Sequence, residues 1–152
     1  EDIDLSMRIE EAGYKLGLIP DTFVYHKRRS TFRSFFKQTF CSGTARIDLA
    51  MRHKGALKLV HLLPSIAVVM LCILLVLSVA VSWLFLLPIV AYGLLIFFHS
   101  YSEFKSIKVS LLSIVASAML ICGYGLGFIY NVWQRLICHR MNKVPFRKSL
   151  YK

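Results

Sequence analysis

From Leu59 to Phe98 the chain runs forty residues with a single side chain able to carry charge, His61. Wound as one helix, that stretch would rise roughly 60 Å, about twice the hydrocarbon thickness of a bilayer. It must therefore fold back on itself. Spans are expected near 59–81 and 83–98, with Ser82 and Trp83 near the turn. Pro64 and Pro88 then fall at kinks or ends, where neighbouring groups satisfy the freed carbonyls. A polar loop, His99 to Lys108, precedes a third apolar stretch, Val109 to Trp133, long enough to cross with some tilt. The fold class that follows is an α-helical membrane protein with about three transmembrane helices.

The net charge of +11 fits this setting. Lys and Arg residues lie beside the apolar segments, where anionic headgroups attract them, and no basic and aromatic platform for a nucleic acid polymer is visible. The charges also create a conflict. Three crossings put the tail, 135–152, on the side opposite the N-terminal residues, yet it carries Arg135, Arg140, Lys143, Arg147, Lys148 and Lys152. The positive-inside bias prefers an even number, which a re-entrant segment, most simply 83–98, would restore. Cys41, Cys72, Cys122 and Cys138 have no CxxC spacing and read as reduced.

Ahead of the apolar region, Leu5, Ile9 and Ala12 fall at helical spacing, with Arg8, Glu10 and Glu11 opposite, so an amphipathic helix is expected from Asp2 to Ala12. Gly13 is its C-cap. Tyr14 to Ile19 and Thr22 to Tyr25 read as short extended segments about a Pro20-Asp21 turn, and His26 ends the second. Ser30 or Thr31 then caps a helix with an aromatic stripe of Phe32, Phe35, Phe36 and Phe40, flanked by Arg28, Arg29, Arg33 and Lys37. Two placements fit that stripe: the membrane interface, with the rings in the acyl boundary, or the surface of a soluble domain. A start without Met inside a dense acidic motif suggests the C-terminal part of a longer protein.

Carboxylates at a helix start commonly serve only as caps and dipole partners. Here they belong to an ordered series: Glu1-Asp2-x-Asp4-Leu5-x-x-Arg8, Ala12-Gly13-Tyr14, Pro20, Val24-x-His26, then Gln38, Gly43 and Arg46. Over residues 1 to about 46 that series resembles the C-terminal half of the catalytic domain of family 2 inverting glycosyltransferases of GT-A fold, in members that continue into a membrane region. The resemblance implies four parts: residues 1–29 as the C-terminal remnant of an α/β GT-A domain, 30–58 as an interfacial amphipathic helix and basic linker, 59–134 as the transmembrane region, and 135–152 as a basic tail. It also implies a nucleotide-sugar donor, a lipid-linked or glycan acceptor, and a divalent cation, Mg or Mn, bound mainly by the half of the enzyme preceding Glu1. The setting implied is the bacterial inner membrane, with the catalytic part cytoplasmic.

Carried over residue by residue, Asp2 matches the carboxylate that deprotonates the acceptor hydroxyl, and Glu1 would bind acceptor or tune it. Asp4 belongs mainly to the helix start, with an acceptor role as the alternative. His26 matches a histidine near metal and diphosphate, or else ends a strand. Arg28 and Arg29 face donor phosphates or lipid headgroups. Gln38 and Arg46 fall where processive relatives carry Gln-x-x-Arg-Trp, but Gln38-Thr39-Phe40-Cys41 lacks the Arg-Trp pair, which favours transfer of a single sugar over polymerisation. The fragment alone is expected to be inactive. The alternative is a small membrane anchor or assembly protein without catalysis. Gly123-x-Gly125-x-Gly127 suits close helix packing through Gly123 and Gly127, and neither His61 nor Cys138-His139 marks a metal site.

Overall fold

The computed structural model describes residues 2–20, 22–25 and 31–136, with Asp2 and Leu136 placed by backbone only. The first helix, α1 (Asp2–Glu11), forms where the amphipathic pattern requires it. It closes in a Schellman turn. Gly13 takes φ 87°, its N–H donates to the Glu10 carbonyl at 2.9 Å, and the Tyr14 N–H donates to Ile9 at 3.2 Å. Those two bonds satisfy carbonyls that the helix end leaves free, in a left-handed position that costs glycine little.

The two extended segments that follow pair with no described strand, and the α/β remnant is not shown: the described residues contain helices, turns and coil, without a sheet. A strand exists only where a neighbour pairs its backbone, and no described segment lies alongside to do so. Their side chains stand open, with Leu18 93% and Tyr25 92% exposed.

Helix α2 (Phe32–Arg52) starts at one of the two expected caps, Thr31, whose Oγ1 accepts from the Ser34 N–H at 3.3 Å. It ends at His53, and Gly55 turns the chain towards a 3-10 turn, Leu59–Leu62. Helices α3 (Leu63–Ala80) and α4 (Leu87–Phe104) each carry proline in the first turn, so Pro64 and Pro88 sit at helix starts, where a missing N–H costs nothing. Between them lies a second 3-10 turn, Trp83–Leu86, introduced by Ser82, whose Oγ accepts from the Leu84 N–H.

The polar loop expected at 99–108 is largely helical. Helix α4 continues to Phe104, Lys105 turns the chain at φ 49° with its N–H on the Tyr101 carbonyl, and α5 (Ile107–Leu136) begins two residues later. The hydroxyls that made this stretch look like a loop are satisfied inside the helical pair. Ser100 and Ser113 share a hydrogen bond of 2.9 Å, and Ser110 donates to the Ser106 carbonyl. Three helical segments, Leu59–Ala80, Trp83–Phe104 and Ile107–Arg135, are long and apolar enough to cross a membrane.

Helix α5 is the hub, packing against α2, α3 and α4. Its glycines set the spacing. A Cβ on Gly123 would strike Thr39, and one on Gly127 would strike the Phe40 carbonyl, both on α2. One on Gly125 would stand 2.6 Å from the Pro64 carbonyl and from Val68 on α3. In return, Gly43 of α2 lets the Tyr124 carbonyl approach. The packing expected of Gly123 and Gly127 is thus present, and its partner is α2, which runs lengthwise along the second half of α5. Phe40 of the aromatic stripe lies 5.8 Å from the Tyr130 ring, while Phe32 remains half exposed.

Candidate functional site

Where α2 ends, the chain gathers its charged side chains. His53 is 6% exposed and is gripped from both sides by α1: Nε2 lies 2.9 Å from Asp4 Oδ1, and Nδ1 lies 2.7 Å from Glu11 Oε1. Arg52 adds a looser contact to Asp4 at 3.7 Å. Asp4 and Glu11 are seven residues apart, two helical turns, and so share the face of α1 that meets the α2 end.

Carboxylate oxygens only accept, so both contacts are hydrogen bonds only when the ring carries two protons. The bond to Asp4, then that to Glu11, accordingly raises the His53 pKa above its ordinary value. The same bond from His53, aided by the charges of Arg52 and Arg8, lowers that of Asp4 against the opposing cost of burial. The resulting ion pair fixes α1 to the membrane-associated helices.

A second network ties α2 to α5. Arg135 forms a close ion pair with Asp48, its Nε donates to Asn131 Oδ1 at 3.2 Å, and the Asn131 amide donates to Asp48 at 3.0 Å and to the Thr44 carbonyl. Asn131 is 3% exposed, so its polar ends are paired as burial demands.

The expected site residues divide by location. Glu1, His26, Arg28 and Arg29 lie outside the described residues, as does the side chain of Asp2, although Asp2 opens α1. Asp4 is committed to His53. Gln38 is exposed on α2, fifteen residues before His53 and hence roughly 22 Å along the helix from the clamp. Arg46 is half-buried beside Tyr124 of α5. Asp4, Gln38 and Arg46 therefore do not converge on one pocket. Against known proteins, the chain matches no family model, no curated sequence and no solved structure.

Among the described residues no group of three His, Cys, Asp or Glu side chains is placed to hold a metal ion. Those residues supply no cage for a divalent cation. The cysteines Cys41, Cys72 and Cys122 are free thiols. The residues missed from sequence are His53, Glu11, Asp48 and Asn131. Only His53 left a trace, as a basic C-terminal residue before Gly55; its partners lie 42 and 49 positions away.

Proposed function

We propose that this chain is the C-terminal section of a membrane-bound, inverting family 2 glycosyltransferase that moves one sugar from a nucleotide-sugar donor to an acceptor hydroxyl. The reading is carried by the ordered series from Glu1-Asp2-x-Asp4 to Arg46, in which Asp2 opens a helix. In this role Asp2 takes the acceptor hydroxyl proton as its oxygen bonds to the anomeric carbon from the face opposite the departing nucleoside diphosphate. Inversion follows from that single displacement. Glu1 stands beside the base, and donor and cation are held mainly by residues preceding Glu1, at the cytoplasmic face of a bacterial inner membrane. The α1 clamp supports the proposal physically: a general base must be held within hydrogen-bond reach of its substrate, and Asp4 and Glu11 anchor the helix that Asp2 opens.

One observation favours the non-catalytic alternative, an anchor or assembly protein: Asp4 is engaged in an ion pair, which is sufficient reason for an acidic residue there. The complete enzyme separates the two. Asp2→Asn should lower the transfer rate by at least about a hundredfold, the scale of a lost general base, while donor binding and membrane insertion persist. Transfer within about twofold of wild type would remove Asp2 from the chemistry.

A further inference from the structure

We propose that Arg46, Lys58, His61 and Tyr124 form a site for the phosphate head of a membrane lipid. Three elements bring them together. Gly43 packs α2 onto the Tyr124 carbonyl, which sets Arg46, one turn later, beside the Tyr124 side chain. Pro64 packs onto Gly125, which sets the 3-10 turn carrying His61 on the other flank. Lys58 caps that turn, three residues before His61.

The chemistry of these groups is uniform. Among the described residues neither Arg46 nor Lys58 has an ion-pair partner; the acids nearest along α2 and α1 are spent on Arg135 and His53. His61 Nδ1 accepts the Lys58 backbone N–H at 3.1 Å, so its proton sits on Nε2, which remains a donor. The Tyr124 hydroxyl is buried with no partner at hydrogen-bond distance, and the Arg46 guanidinium lies beside it. A buried hydroxyl left unpaired is costly, and an anion would accept from it and from the cationic groups beside it.

What makes the anion a lipid is the surface beside it. Leu59 is 83% exposed, and Leu63 and Ile66 are more than half exposed, at the start of a segment apolar enough to cross a membrane. A phosphate with acyl or prenyl chains meets the donors and this face together; free phosphate meets only the donors. The site needs the membrane setting of the helices and does not depend on sugar transfer.

The test is lipid retention by the purified chain in neutral detergent, read by native mass spectrometry with dioleoyl phosphatidic acid and dioleoyl phosphatidylcholine as probes. One phosphatidic acid should bind at least about tenfold more tightly than phosphatidylcholine. Arg46→Gln and Tyr124→Phe should each weaken it by about five- to tenfold, the scale of one lost charge-assisted hydrogen bond. Arg33→Gln, which removes the same charge elsewhere on α2, should not. Circular dichroism and detergent elution identify any variant that has lost its fold, and Tyr124→Phe keeps the ring. Tighter retention of a polyprenyl phosphate would mark the site as the acceptor's, and equal retention as that of a bulk anionic lipid; either outcome supports it. Undiminished retention in both Arg46→Gln and Tyr124→Phe, equal loss in Arg33→Gln, or displacement by inorganic phosphate at the lipid's own concentration would overturn it.

Discussion

At His53 one imidazole holds two carboxylates, and its proton count decides whether it holds both. The stabilisation from its raised pKa is fully present below the ordinary histidine value of about 6.5 and is lost as pH climbs through the raised one. Asp4, with a lowered pKa, contributes above the ordinary aspartate value of about 4 and loses its contribution as pH falls through the lowered one. Docking of α1 is therefore firmest between about pH 4 and about 6.5 and loosens on the alkaline side. Hydrogen exchange of the α1 amides, corrected for intrinsic rates, should show protection declining from pH 6 to 8.5 in the wild type. His53→Gln should show weaker protection that no longer varies across that range. Unchanged wild-type protection would mean the clamp holds without the second proton. Nothing in the order of residues marks His53 for this task. A histidine after a basic helix end is commonplace, and the pairing arises only once α1 lies across the end of α2.

Among the elements, α5 shows how a composition read as merely apolar encodes a packing distance. Alanine at Gly127 would place a methyl against the Phe40 carbonyl, a rigid backbone atom, so α2 and α5 must separate. The cost should be about 1–3 kcal/mol, the scale of overpacking. Gly93, on α4, has nothing within 4 Å of an added Cβ. Gly93→Ala should therefore stabilise slightly, by up to about 1 kcal/mol, because a helix interior favours alanine. Thermal unfolding in detergent should order the two oppositely around the wild type, and a neutral Gly127→Ala would show that α2 does not press on α5. The small residues at 123 and 127 were legible as a close-packing pattern. Their partner was not, since the stripe of Phe32, Phe35, Phe36 and Phe40 reads equally well as facing a bilayer interface or a soluble domain. The end of α4 was hidden similarly: hydroxyls read as a loop because a sequence does not show that Ser100 will find Ser113.

Across the whole molecule the contacts bear on the unequal charge of the chain. Gly125 is eighteen positions beyond Ile107, roughly 27 Å up α5 and close to the full hydrocarbon thickness. Pro64, at the start of α3, packs at that level. Helix α4 runs antiparallel to α5, with Ser100 on Ser113 and Tyr92 on Ser117, so α4 begins near the same level. The seven steps from Ala80 to Leu87, partly wound as a 3-10 turn, reach roughly 15 Å. The start of α3 is thus held against the C-terminal half of α5, and the two ends are expected to face one side. That geometry suits the basic residues at both places. With the native cysteines replaced, single cysteines at Leu57 and Gln134 should react with an impermeant maleimide from the same side of sealed vesicles, and one at Ser102 from the other. Labelling of positions 57 and 134 from opposite sides would restore three full crossings.

The chain by itself determined its helices, their prolines at helix starts, the Gly13 cap and the small-residue row of α5, because each follows from local sterics or from apolar surface that must leave water. It also carried the acidic series on which the proposed chemistry rests. Only the tertiary structure decided that Asp4 and Glu11 close on His53, that α2 lies along α5, and that Arg46 comes to lie beside Tyr124. Those are meetings of residues far apart in sequence, set by the angles at which whole helices pack.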